Sequence, residues 1–279
     1  KIIGEKNNFG GGILIKNTKE KSKFTNVEIK YLTGWKNEYK DIFSQKIYSS
    51  KTSFKKFNII KEEIYSKEIN MPDETYILYG SLNFYDTKVD IENMKFEKLS
   101  SEDGLNIINS NFKINNISFS EISSDAIDFD FSNGNIMNAK FDKIGNDGLD
   151  FSGSNVYVEN VYFNNVNDKQ ISVGENSKIK LNKIFGTNSY IGIASKDGSI
   201  TDAKDVTFEN VKLPFLSYIK KNEYNQSVIF LKNIKSSNSL VNFLNDKLSK
   251  IYLEDELVGN ETEHIISIVY KKNINLLQL

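Results

Sequence analysis

Apolar and polar positions alternate along this chain in short bursts. AIDFDF (126–131), NVYVENVYF (155–163) and KIKLNKIF (178–185) all run with a period of two, which is the period of a half-buried strand, not of a helix. Gly, Asn and Ser break the bursts into short segments. The bursts also recur. From Leu105 a residue of the same kind returns at Ile127, Leu149, Ile171 and Ile193 in steps of 22, then at Leu216 and Leu240 in steps of 23 and 24, with Leu82 lying 23 before Leu105. A second column reads Phe96, Phe119, Phe141, Phe163, Phe185 and Phe208, and a third, three residues earlier, reads Asn93, Asn116, Asn138, Asn160, Asn182 and Asp205.

A unit of 22 residues with two or three short strands cannot bury its own apolar side. It must stack on copies of itself, so the period predicts a solenoid whose strands pair in parallel from one coil to the next. Parallel connections of this kind are right-handed, and the prediction is an all-β, right-handed parallel β-helix with a rise of about 4.8 Å per coil. The Leu/Ile and Phe columns are expected to point inward, and the Asn column to sit at an inward-facing turn where amides bond to one another along the axis.

These columns resemble the asparagine ladder of the pectate-lyase-like β-helix superfamily over roughly residues 78–245. NDKQISVGENS, IGIASKDGS and YIKKNEYN are similar to segments of bacterial right-handed β-helix repeat proteins. The resemblance implies the fold and a carbohydrate context, and it is silent on activity.

The chain reads as a single β-helix domain, 1–279. Regular coils span 79–245, preceded by irregular coils and an insertion over 1–78 and followed by a C-terminal cap over 246–279. The segment GWKNEYKDIFSQKIYSSKTSFKKFNIIKEEIY breaks the register and reads as an excursion on the side of the helix; Trp35 within it reads as a packing residue. EHIISIVYKKNINLLQL carries no coil signature and is expected to cover the open C-terminal end, where strand edges would otherwise be unpaired.

Composition narrows the partners. A net charge of −1 offers no field to attract nucleic acid. There is no run of 18 apolar residues, so no membrane span is expected. Cysteine is absent, which excludes disulfides and thiolate metal sites. All 36 basic residues are Lys, and the one histidine, His264, lies far from the repeat centre and reads as a surface residue. FGGGIL, at 9–14, lacks the Lys and following helix of a phosphate loop.

The chemistry-bearing feature is a set of outward carboxylates. With Ile127, Phe129 and Phe131 inward, Asp128 and Asp130 must face out, and one coil on Asp150 stacks on Asp128. The outward columns become Asn106–Asp128–Asp150–Ser172–Ala194, then Ile108–Asp130–Ser152–Gly174–Lys196, then Asp103–Asp125–Asp147–Lys169. Stacked carboxylates repel, so a cation, a shared proton or a lysine must compensate them. Asp103, Asp125 and Asp147 also suit a structural role, accepting Asx-type turn bonds at strand starts. Mid-strand Asp128, Asp130 and Asp150 suit that role less well.

Three chemistries fit. Asp128 with Asp150, or Asp130 with Asp150, could serve as the two carboxyls of a glycoside hydrolase. Lys169 or Lys196 could act as base in β-elimination from a uronate polymer, with Ca²⁺ held by Asp128, Asp130 and Asp150, as the resemblance to one β-helix lyase family implies. The strip could also bind a polysaccharide or cation without chemistry. Glu175, Asp197, Lys220, Lys221, Glu223 and Tyr224 flank it as candidate substrate contacts, with Lys169–Glu175 and Lys196–Asp197 expected as ion pairs. The Arg- and His-dependent sites of the best-known β-helix lyases and polygalacturonases have no counterpart here. The expectation is a bacterial polysaccharide-binding or -processing protein of the cell envelope or exterior; the alternative is a structural or adhesive surface solenoid.

Overall fold

The computed structural model describes residues 2–3, 12–33 and 79–276. The insertion, with Trp35, lies outside them. The described chain is a parallel β-solenoid of about eight turns at a spacing near 22 residues. Each coil has three faces. In one coil these are Asp125–Asp130, then the two halves of the long strand Asn133–Ile144, which bends between them. A residue with positive φ marks each corner: Asn109, Phe131 and Gly153 at the first, Asn116, Asn138 and Asn160 at the second, Glu121, Lys143 and Asn165 at the third. The left-handed region is reached most easily by Gly and Asn.

That preference explains the asparagine column, and it corrects the expected direction. Asn93, Asn116, Asn138 and Asn160 occupy the second corner with φ of 54°, 54°, 57° and 57°, and their side chains face solvent. Their amides bond from coil to coil on the outside, Asn116 donating to Asn93 at 2.6 Å and Asn160 to Asn138 at 2.6 Å, while Asn138 turns to Asn115 at 2.8 Å. The inward polar ladder is made of serine. Ser110, Ser132, Ser154 and Ser177 lie buried just after the first corner, each backbone N–H donating to the next hydroxyl, for example Ser132 to Ser154 Oγ at 2.9 Å and Ser154 to Ser177 Oγ at 3.0 Å.

The core holds the expected columns until the chain inserts residues. Phe96, Phe119, Phe141 and Phe163 stack with ring centroids 4.4, 5.4 and 4.8 Å apart. The next coil is one residue longer, so Phe163 pairs with Gly186, and Phe185 moves outward to stack on Tyr162 at 5.0 Å. The space over Gly186 is filled by the buried Gln170 carboxamide; a Cβ at 186 would come 1.9 Å from Gln170 Oε1. The Leu/Ile column likewise continues from Ile193 to Phe215 and Phe243, not to Leu216 and Leu240. Leu216 pairs with Ala194 on the outward side.

The C-terminal segment resolves that oddity. A short helix, α1 (Ile265–Tyr270), packs Ile265, Ile268 and Val269 against Ala194, Leu213, Leu216 and Leu244. It therefore covers the lateral face carrying the carboxylate strip, beyond the acids, whereas the expectation placed this segment over the open end. Tyr190 anchors it by donating to the Ile268 carbonyl at 2.7 Å. No helix among the described residues is long and apolar enough to cross a membrane.

Candidate functional site

Strand pairing places the acids in the columns read from the sequence. Asp103 pairs with Asp125, Asn106 with Asp128, Ile108 with Asp130, and Asp128 in turn with Asp150. The strip runs along the first face and ends where α1 docks.

The strand-start acids are built into the fold. Asp125 Oδ1 accepts from the Asp147 backbone N–H at 2.7 Å and from Asn146 Nδ2 at 2.6 Å. Asp147 Oδ1 accepts from the Lys169 N–H at 2.9 Å. These bonds climb from coil to coil instead of closing an Asx turn within one. Asp103 accepts from Asn106 Nδ2 at 3.0 Å. Burial pushes the Asp147 carboxyl up to about 7, against the pull of Lys169, and raises Asp125 to about 6 against the Asp147 N–H. Asp103 is raised well above the ordinary range by burial and by Asp125.

The mid-strand acids are half-buried and less bonded. Burial, with Asp103 and Asp150 nearby, holds Asp128 well above the ordinary carboxylate range. Burial and Asp150 raise Asp130 to about 6. Positive charge arrives from one side: Lys196 Nζ lies 3.9 Å from Asp150 Oδ1 and donates to Ser172 Oγ at 2.8 Å.

Both lysines of the strip are buried. Lys169 pairs with Asp168 and with Asp147 at 3.5 Å, and its ammonium lies 5.4 Å from the centre of the Tyr270 ring, brought in by α1. Burial disfavours its charge, yet Asp147 and Asp168 more than offset this and hold its pKa above the ordinary lysine value. Lys196 behaves alike: burial disfavours its charge, and Asp150, Tyr270 and Asp147 together outweigh it. Tyr218 and Tyr270 share a hydroxyl–hydroxyl bond at 2.8 Å.

The flanking residues form a second, separate arrangement. Glu175 pairs with Lys221, not Lys169. Asp197, fully buried, is not paired with Lys196; its Oδ1 accepts the backbone N–H groups of Lys220 and Lys221 at 2.6 and 2.8 Å and so fixes the following loop. Lys220 Nζ lies 4.9 Å from the Tyr270 ring centre. Glu223 is exposed, and Tyr224 is half-buried with its N–H on the Lys221 carbonyl. His264 is exposed, as expected.

The largest departure is Phe131. It does not face inward: it is 61% exposed, at the corner directly after Asp130, with φ of 49°. Period-two counting carried the strand one residue too far. The strand closes at Asp130 and the next opens at Asn133, so Phe131 and Ser132 make the corner.

Among the described residues no group of three or more Asp, Glu, His or Cys side chains is arranged to hold a metal ion. Asp150 faces the Lys196 ammonium, and burial raises the proton affinity of Asp128. What the arrangement can offer is one carboxyl of raised proton affinity beside another that faces a cation.

No protein-family model matches the chain, and no curated protein sequence matches it significantly.

Proposed function

We propose that the protein binds an extended polysaccharide along the first face and hydrolyses it with Asp128 and Asp150. The observation that carries this reading is the asymmetry of the pair. Burial and its acidic neighbours raise the proton affinity of Asp128, while Asp150, its register partner, has Lys196 Nζ 3.9 Å away. A carboxyl with a raised proton affinity beside one that faces an ammonium suits an acid and a nucleophile. In-register neighbours stand about 4.8 Å apart along the axis, close to the roughly 5–5.5 Å of retaining glycosidases. In this scheme Asp128 protonates the leaving oxygen, Asp150 attacks the anomeric carbon, and Asp128, now ionised, takes a proton from water to release the sugar. Lys169 and Lys196 serve as fixed cations. Their raised proton affinities suit them less well to act as the base of an elimination. A polymer substrate places the protein at the cell envelope or outside the cell.

The test is incubation with neutral and uronate polysaccharides, following new reducing ends and unsaturated uronate products separately. Reducing ends that appear with the native chain and vanish in Asp128→Asn and Asp150→Asn support hydrolysis. Unsaturated products would instead select the lyase reading. A second reading, a non-catalytic solenoid, is favoured by the coil-to-coil bonding of Asp125 and Asp147. It would be selected if no polymer were bound or cleaved.

A further inference from the structure

The first-corner column is occupied by Asn17, Asp86, Asn109, Phe131, Gly153 and Glu175, all at positive φ. Phe131 is the one bulky apolar residue among these six. A large side chain in the left-handed region costs conformational free energy that Asn or Gly would not incur. Phe131 obtains little burial in return, being 61% exposed. Its ring lies over Gly153 of the next coil, where a Cβ would come 2.6 Å from a ring carbon. Gly153 thus supplies the flat seat, and the corner is pinned by the Phe131 N–H donating to the Ser152 carbonyl at 2.8 Å. The ring spans the two coils that carry Asp128, Asp130 and Asp150, next in sequence to Asp130.

We propose that Phe131 is the stacking platform for one pyranose ring of the bound glycan, beside the carboxyls that take its hydroxyls. A sugar with equatorial hydroxyls presents axial C–H groups on its flat faces, which match the aromatic face, while its rim of hydroxyls reaches the acids. This selects glucose-configured pyranoses over those with axial hydroxyls. The inference rests on the glycan-binding reading.

The experiment compares native chain, Phe131→Asn, Phe131→Trp and Asp150→Asn for binding to a panel of glucose- and galactose-configured oligosaccharides, together with thermal midpoints. Asn fits the corner, so Phe131→Asn should melt no lower than the native chain yet bind glucose-configured oligosaccharides roughly tenfold more weakly. Phe131→Trp should retain binding. Unchanged affinity in Phe131→Asn alongside loss in Asp150→Asn would overturn the platform while leaving the glycan reading intact. A lower midpoint accompanying weaker binding would assign Phe131 to packing and overturn it too. Absence of glycan binding by the native chain would overturn both.

Discussion

Lys196 Nζ donates to Ser172 Oγ at 2.8 Å, one coil back, and reaches to 3.9 Å from Asp150 Oδ1, two coils back. The stem can take this path because residue 174 is glycine; a Cβ there would come 2.8 Å from Lys196 Cε. Removing either partner strands the other in a site that water reaches poorly. Lys196→Met and Asp150→Asn should each destabilise the fold, by about 3 kcal/mol when the remaining charge is uncompensated. The double variant should cost less than their sum. Denaturant unfolding of the four proteins measures the coupling, and strict additivity would show that the two charges do not interact.

Stability should fall as pH rises from about 5 to about 7, the reverse of ordinary acid unfolding. Asp125 and Asp130 have folded-state values of about 6 and Asp147 of about 7, all above their unfolded values. Between the unfolded and folded values the native chain binds more protons than the unfolded chain, so the native state is favoured at the acidic end. Each group contributes a slope of up to about 1.4 kcal/mol per pH unit. Thermal midpoints across this window provide the check. Asp130→Asn should flatten the profile and raise the midpoint at neutral pH. A native midpoint that climbs with pH would contradict the burial of these acids.

The register slip at Phe185 gives a sharp comparison. Phe141 is fully buried between Phe119 and Phe163, whereas Phe185 is half-buried against Tyr162 on the outside. Phe141→Ala should cost about 3–5 kcal/mol. Phe185→Ala should stay within about 1 kcal/mol. Equal losses in denaturant unfolding would restore Phe185 to the core column.

Those two phenylalanines also show what was legible in the sequence. The solenoid and the acid columns could be read because a 22-residue period and a two-residue alternation together determine which side chains stack. Asp128 over Asp150 follows from counting alone. Counting fails where a coil gains a residue, as before Lys178, or where a corner ends a strand, as at Phe131. The Asn column was visible, but its direction was not, because the backbone asks for positive φ there and leaves the amide outside. The serine ladder had a readable spacing at Ser110, Ser132 and Ser154, hidden by the many other Ser and Asn residues in the turns. Lys169 under Tyr270 could not be read at all, since that contact joins residues about a hundred positions apart through tertiary docking.

The docking of α1 is itself open to test. Ile268 is fully buried, and its carbonyl accepts the Tyr190 hydroxyl at 2.7 Å, so the helix is held by a small apolar seat and a few polar anchors. Six residues are too few for a helix to be stable alone, so the packing must hold it together. Ile268→Ala removes the centre of that seat, a change worth about 2–4 kcal/mol for a well-packed site. The loss should appear as local opening. Amide exchange should accelerate across 265–270, while the coils around Phe119–Phe163 keep their protection. The strands near the C-terminal end, Lys250–Leu253 and Glu256–Val258, should also be unaffected, because α1 lies on the lateral face. If those strands lost protection together with the helix, α1 would be acting as an end cap after all. Opening also withdraws Tyr270 from Lys169 and Lys220, so glycan affinity measured on the same variant reports whether α1 forms one wall of the strip.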